Sequence, residues 1–288
     1  MMILKVENLR KEYETFLLDD ISFELEEGYI MGFIGSNGAG KTTTLKGILG
    51  MIQTEAGDVE IFGKNFKENE IAIKQDIAFM TGSSDYYLRR KIRVITKVVK
   101  SFYPNWNDAV YENYLRKFKL DPEKKVMELS QGMRVKYSLA LALSHEAKLI
   151  ILDEPTSGLD PVARDDLLEI FQELVEDGQK SVLFSTHITS DLEKCADYIT
   201  YINEGKIIKS TSKDELLDSF RLVNGSEEDL KTMKQDLISY KINSFGFLGL
   251  IDTAKLSRYP EINSEAPSLD DIMIYHAKRE ETHAEAAV

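Results

Sequence analysis

Residues 35–43 read Gly-Ser-Asn-Gly-Ala-Gly-Lys-Thr-Thr, and no other stretch of the chain limits its possible folds so tightly. Gly35, Gly40, Lys41 and Thr42 occupy the fixed positions of the phosphate-loop pattern G-x-x-x-x-G-K-[ST]. A polyphosphate needs several backbone N–H groups turned into one concavity, and only a chain with little side-chain bulk can form it. Gly35, Gly38, Ala39 and Gly40 meet that need. Lys41 supplies a charge for the β- and γ-phosphates, and the Thr42 hydroxyl suits Mg²⁺. An apolar run of strand length, Tyr29 to Ile34, precedes the loop. After it, Leu45, Ile48, Leu49 and Ile52 recur at helical spacing. A helix that begins at the loop aims its positive N-terminal end at the phosphates. Strand, loop and helix together imply an α/β sheet with its chemistry at the strand ends.

At 288 residues, 43% of them hydrophobic, the chain can bury a substantial core in one or two domains. A formal charge of −13 argues against nucleic acid as a main partner, because phosphate backbones need a basic face. The sole cysteine, Cys195, excludes a disulfide framework and fits a reducing cytosol. No apolar run reaches membrane-spanning length, and the N-terminus lacks the pattern of a secretion signal. Work at a membrane would require a second, spanning chain.

Met2 to Asn8, Ile21 to Leu25 and Gly57 to Phe62 read as strands. Tyr13 falls in a polar loop between the first two; it is either a surface tyrosine or a flat ring on which a base can stack. Ile77 to Met80 reads as a strand. From Tyr86 to Leu120 the pattern turns helical, interrupted at Pro104-Asn105-Trp106-Asn107, with Trp106 read as a packing residue. Ser130 opens another helix as its N-cap. His145 closes it, where a cation would favour the helix dipole.

Leu149 to Leu152 reads as a buried strand that delivers Asp153 and Glu154 at its C-terminal end. Beside a phosphate loop, Asp153 suits Mg²⁺ and Glu154 suits a base that orients the attacking water. Val162 to Glu176 reads as a helix. Ser181 to Phe184 reads as a strand, and His187 just beyond it can sense the γ-phosphate.

In this order and spacing, GSNGAGKTT, LSQGM, LIILDEPTSGLD and STHITSDLEKCAD resemble the ATPase subunit of an ABC transporter over roughly residues 2–209. The resemblance implies a P-loop ABC-type ATPase fold, a RecA-like core with an antiparallel β subdomain and a helical subdomain over about residues 83–148. It implies ATP and Mg²⁺ as cofactors, with Tyr13 on the adenine and residues Asn37 to Thr43 on the phosphates. Thr42 and Asp153 would hold the metal, and Glu154 and His187 would be catalytic. Ser130 and Gly132 match the signature that closes on ATP held by the opposite subunit, and Asp160 the loop that meets that partner. The expected partners are an integral membrane permease and a second ATPase subunit, identical or not. The expected place is the cytoplasm, against the inner face of the membrane.

Two departures stand out. Gln131 and Met133 replace a glycine and the glutamine of the usual LSGGQ, a form similar to that of bacterial exporters of antimicrobial or amphipathic peptides. The glutamine that normally follows the Ile77–Met80 strand aligns with Gly82, leaving Ser83, Ser84 or Asp85 as substitutes. That loss opens the alternative of a regulatory ATP-binding module with little turnover. The ATPase domain is expected to end near residue 218. A small α/β extension, residues 219–288, follows, for dimerisation or regulation. It carries candidate strands at Arg221–Val223 and Phe245–Ile251 around a polar helix, and a last helix with a capping box at Ser268 and Asp271.

Overall fold

The computed structural model describes residues 1–81 and 87–285, with side chains to residue 277. Gly82, which aligns with the family's glutamine, and Ser83, Ser84 and Asp85 lie outside the described residues. The chain divides into two compact units, Met1–Ile208 and Lys209–Val288.

The first unit opens with β1 (Met2–Tyr13) and β2 (Phe16–Glu26), a hairpin in which Tyr13 pairs with Phe16. Tyr13 therefore ends a strand rather than lying in a loop; the polar Arg10-Lys11-Glu12 run hides an edge whose outward face is solvated. The next elements are β3 (Ile30–Ile34), α1 (Lys41–Ile48), β4 (Ala56–Ile61), β5 (Lys64–Asn65), α2 (Phe66–Gln75) and β6 (Ile77–Thr81). An antiparallel sheet runs in the order β2-β1-β4-β5.

Helices α3 (Ile92–Lys100), α4 (Asp108–Lys117) and α5 (Gln131–Ser144) form the helical insert. Asn107, within the expected break, caps α4 by accepting the Val110 N–H at 3.1 Å. Trp106 packs on Tyr111 with ring centroids 5.3 Å apart, as a packing residue should. The buried Thr96 hydroxyl meets those of Tyr111 and Tyr137 at 2.7 and 2.9 Å, joining all three helices.

Beyond the insert come β7 (Leu149–Asp153), α6 (Pro161–Val175), β8 (Ser181–Thr186), α7 (Thr189–Cys195), β9 (Tyr198–Asn203) and β10 (Lys206–Ser212). The main sheet runs β10-β9-β3-β8-β7-β6, and the pairs from β9 to β6 are parallel. Strands β3, β7 and β8 are buried at every residue, so their sequences run almost continuously apolar instead of alternating. One core cluster joins this sheet to the antiparallel one; Phe23 stacks on Phe33 at 5.5 Å. None of the helices among the described residues is long and apolar enough to cross a membrane.

His145 corrects an expectation. Its ring is buried, stacked 3.7 Å from Tyr103, and its Nδ1 lies 3.1 Å from the Gln75 carbonyl. That oxygen can only accept, so Nδ1 carries the proton. Burial pushes the imidazole pKa down, so His145 is a buried packing residue between insert and core, a poorer place for a cation on the helix dipole than the exposed helix end that was expected.

The second unit contains α8 (Lys213–Asp218), β11 (Phe220–Gly225), α9 (Glu227–Met233), β12 (Leu237–Asn243), β13 (Gly246–Asp252), α10 (Thr253–Leu256), β14 (Asn263–Glu265) and α11 (Leu269–Glu285). Its antiparallel sheet runs β12-β13-β11-β14. Two of these strands were not expected: β12 mixes lysine, serine and asparagine into its pattern, and all three residues of β14 are exposed. Ser268 and Asp271 form the expected reciprocal cap, the Ser268 N–H donating to Asp271 at 3.0 Å and the Asp271 N–H to Ser268 Oγ at 3.1 Å.

Candidate nucleotide site

The phosphate loop connects β3 to α1. Gly38 and Gly40 have φ of 84° and 112°, conformations that L side chains resist. Space also demands glycine: a Cβ on Gly35 would lie 2.4 Å from the Ile202 carbonyl oxygen. No side chain caps the N-terminus of α1, so its first amides stay free for an anion. Lys41 is buried and folds back over the loop, donating to the Gly35 and Ser36 carbonyls at 2.7 and 3.1 Å.

Sheet register brings the carboxylates to this loop. Strand β7 sits between β6 and β8, and Asp153 pairs with Ser185. The Ser185 hydroxyl donates to Asp153 Oδ1 at 2.6 Å, and Thr42 Oγ1 donates to Asp153 Oδ2 at 2.8 Å. Glu154 follows with φ of 52°, held by its own N–H donating to the Ser185 carbonyl at 3.1 Å and to Ser185 Oγ at 3.0 Å. Left-handed backbone at a non-glycine costs about 1–3 kcal/mol and clusters at functional sites. The turn points the carboxylate at two nitrogens: Lys41 Nζ at 3.2 Å from Oε1 and His187 Nδ1 at 2.8 Å from Oε2.

A cleft of about 560 Å³ is lined by Tyr13, Phe16, Ser36, Asn37, Gly38, Gly40, Lys41, Thr42, Thr43, Glu154, Ser157 and His187. It gathers a ring, a cradle of amides, a lysine, a carboxylate and an imidazole. The Thr42 hydroxyl and Asp153 carboxylate are hard oxygen donors already in contact, a set that fits Mg²⁺ completed by phosphate and water. Among the described residues no group of three or more His, Cys, Asp or Glu could hold a metal by itself.

Ser130, Gly132 and Asp160 do not line this cleft. Ser130 is exposed and caps α5, accepting the Met133 N–H at 3.3 Å. Asp160 caps α6, accepting the Val162 and Ala163 N–H groups at 3.0 Å each. Sequence reasoning missed Ser185, Phe16 and Ser157. It also missed the work of Gln131, whose Nε2 donates to the Ser157 carbonyl and so ties the LSQGM helix to the loop before Asp160. Gly158, at φ of 72°, leaves room for that side chain; a Cβ there would lie 2.8 Å from Gln131 Oε1. The strand pattern around Ser185 was visible, but its partner across the sheet was not.

Fold and site together define a P-loop ATPase with a helical insert. The ABC transporter family model matches residues 18–157. The chain is 33% identical over 219 residues to the bacitracin transport ATP-binding protein BcrA of Bacillus licheniformis, covering 74% of this chain and 71% of that one. It is 30% identical to the lantibiotic transport ATP-binding protein SrtF of Streptococcus pyogenes, over 74% of this chain and 92% of that one. A solved ATP-binding subunit of an ABC transporter superposes with TM-score 0.67 at 28% identity, covering 74% of this chain and 91% of that one. The chain belongs to the ATP-binding subunits of ABC transporters: it binds and hydrolyses ATP and works with a membrane permease. Relatives of this kind do not favour the alternative of a purely regulatory module.

Proposed function

We propose that the chain powers the export of amphipathic or antimicrobial peptides through a separate permease, docked on the inner face of the cell membrane. The relatives that transport bacitracin and lantibiotics support the cargo class. The observation that carries the site assignment is the convergence of Lys41, Thr42, Asp153, Glu154 and His187 within a few ångströms.

In this reading Tyr13 stacks on the adenine, and the loop amides from Asn37 to Thr43 hold the phosphates with Lys41. When bound, Mg²⁺ on Thr42 and Asp153 supplies charge neutralisation for the leaving phosphates. Glu154 accepts a proton from the attacking water and holds it in line. His187 fixes the second oxygen of Glu154 and contacts the γ-phosphate. Ser130 and Gly132, outside the cis cleft, complete the site of an opposing subunit, and Asp160 lies at that junction.

The test is ATPase turnover of the subunit alone and with its co-purified permease in lipid, with and without bacitracin or a lantibiotic. Turnover should rise with the permease and again with peptide. A permease complex whose turnover no such peptide changes would sink the cargo reading.

A further inference from the structure

The base platform is braced from outside the cleft. Pairing between β1 and β4 ends at Arg10 and Ala56. Beyond that point Lys11, Glu12 and Tyr13 have β2 as their only strand partner. A strand end held on one side frays easily. Here Glu55, the residue just before β4, takes over on the open side. Its N–H donates to the Arg10 carbonyl at 3.0 Å. One carboxylate oxygen accepts the Glu12 N–H at 3.0 Å, and the other accepts Lys11 Nζ at 2.7 Å. Thus clamped, the Lys11 ammonium stands 5.2 Å from the centroid of the Tyr13 ring, a cation–π contact. Lys11 is the more covered partner of the pair, and its side chain is only 16% exposed.

We infer that Glu55 is a positioning residue for nucleotide binding, holding Lys11 against Tyr13 so that the ring stands ready for a base. This rests on the reading of Tyr13 as the base platform. Glu55 is not among the residues lining the cleft, so its effect must pass through the strand end. A phosphate chain without a base should not feel it.

The experiment measures dissociation constants of ATP and of inorganic tripolyphosphate by calorimetry for the full chain and its variants. Base–aromatic stacking is worth about fivefold to a hundredfold in affinity, so Tyr13→Ala should weaken ATP by that range and leave tripolyphosphate alone. Glu55→Ala should weaken ATP about threefold to tenfold, a part of the Tyr13 effect, again without changing tripolyphosphate. Glu55→Gln, which can still accept the Glu12 N–H but loses the ion pair, should fall between Glu55→Ala and the parent. If Tyr13→Ala lowers the preference for ATP over tripolyphosphate and Glu55→Ala does not, the positioning role is overturned while the platform stands. If Tyr13→Ala leaves that preference unchanged, the platform reading itself fails and the inference with it. Equal weakening of both ligands by Glu55→Ala would also overturn it, by placing the effect on the phosphates.

Discussion

Lys41 Nζ lies 3.2 Å from Glu154 Oε1, so the ammonium suited to phosphate and the carboxylate suited to water are bonded to each other. In the proposed reading, a triphosphate entering the cleft would compete with Glu154 for Lys41. His187, 2.8 Å from the other oxygen, would then keep the carboxylate in place.

Lys41→Ala removes the charge on the β- and γ-phosphates while the glycines keep the loop in shape. ATP affinity should fall by at least about tenfold, or ~1.4 kcal/mol, measured by calorimetry. Affinity closer to the parent would remove Lys41 from that role.

Glu154→Gln keeps size and hydrogen bonding but cannot accept a proton. Turnover should drop by about 10²–10⁴-fold with ATP still bound. Loss of a negative charge beside the triphosphate also favours closure, so the variant should run as an ATP-held dimer in light scattering. A monomer that hydrolyses ATP nearly as fast as the parent would contradict both assignments.

Ser185 braces both carboxylate residues, donating to Asp153 at 2.6 Å and accepting from the Glu154 N–H at 3.0 Å. Ser185→Ala leaves a buried oxygen of Asp153 without that donor, which should cost about 1–3 kcal/mol of stability. More Mg²⁺ should also be needed for half-maximal turnover, because Asp153 is less well aimed. Urea unfolding and a Mg²⁺ titration of activity check the two halves. Unchanged values in both would mean that the register alone positions Asp153.

His145 makes stability depend on pH. Its pKa is lowered by burial in the folded protein, whereas in the unfolded chain it is near the usual value of about 6.5. Below that value the unfolded chain takes up a proton that the folded one resists. Stability is therefore fully retained above it and is lost progressively as pH falls from it through the lowered folded value. His145→Phe keeps a ring against Tyr103 but strands the Gln75 carbonyl, a cost of about 1 kcal/mol at neutral pH. Unfolding free energies measured from roughly pH 7 to pH 5.5 should slope less for the variant than for the parent. Equal slopes would show that His145 is protonated without penalty.

The sequence alone determined the phosphate loop, the carboxylate pair and four strands of the main sheet, β3, β6, β7 and β8. These depend on local causes. Glycines at residues 35, 38 and 40 suit a cradle wherever it is placed, and a continuous apolar run such as Leu149 to Leu152 suits only a strand covered on both faces. Capping pairs such as Ser268 and Asp271 are equally local, because a helix start is satisfied within one turn.

What the tertiary structure alone decided are the contacts that cross the sheet or join distant segments. Ser185 reaches Asp153 because of parallel register between β7 and β8, which no spacing along the chain encodes. Lys41 meets Glu154, and Glu55 meets Lys11, across 113 and 44 positions of sequence respectively. His145 stands at a helix end in either account; whether its ring meets solvent or lies buried against Tyr103 depends on how the insert packs. A side chain's type is a local fact, while its dielectric surroundings and its partners are properties of the packed fold.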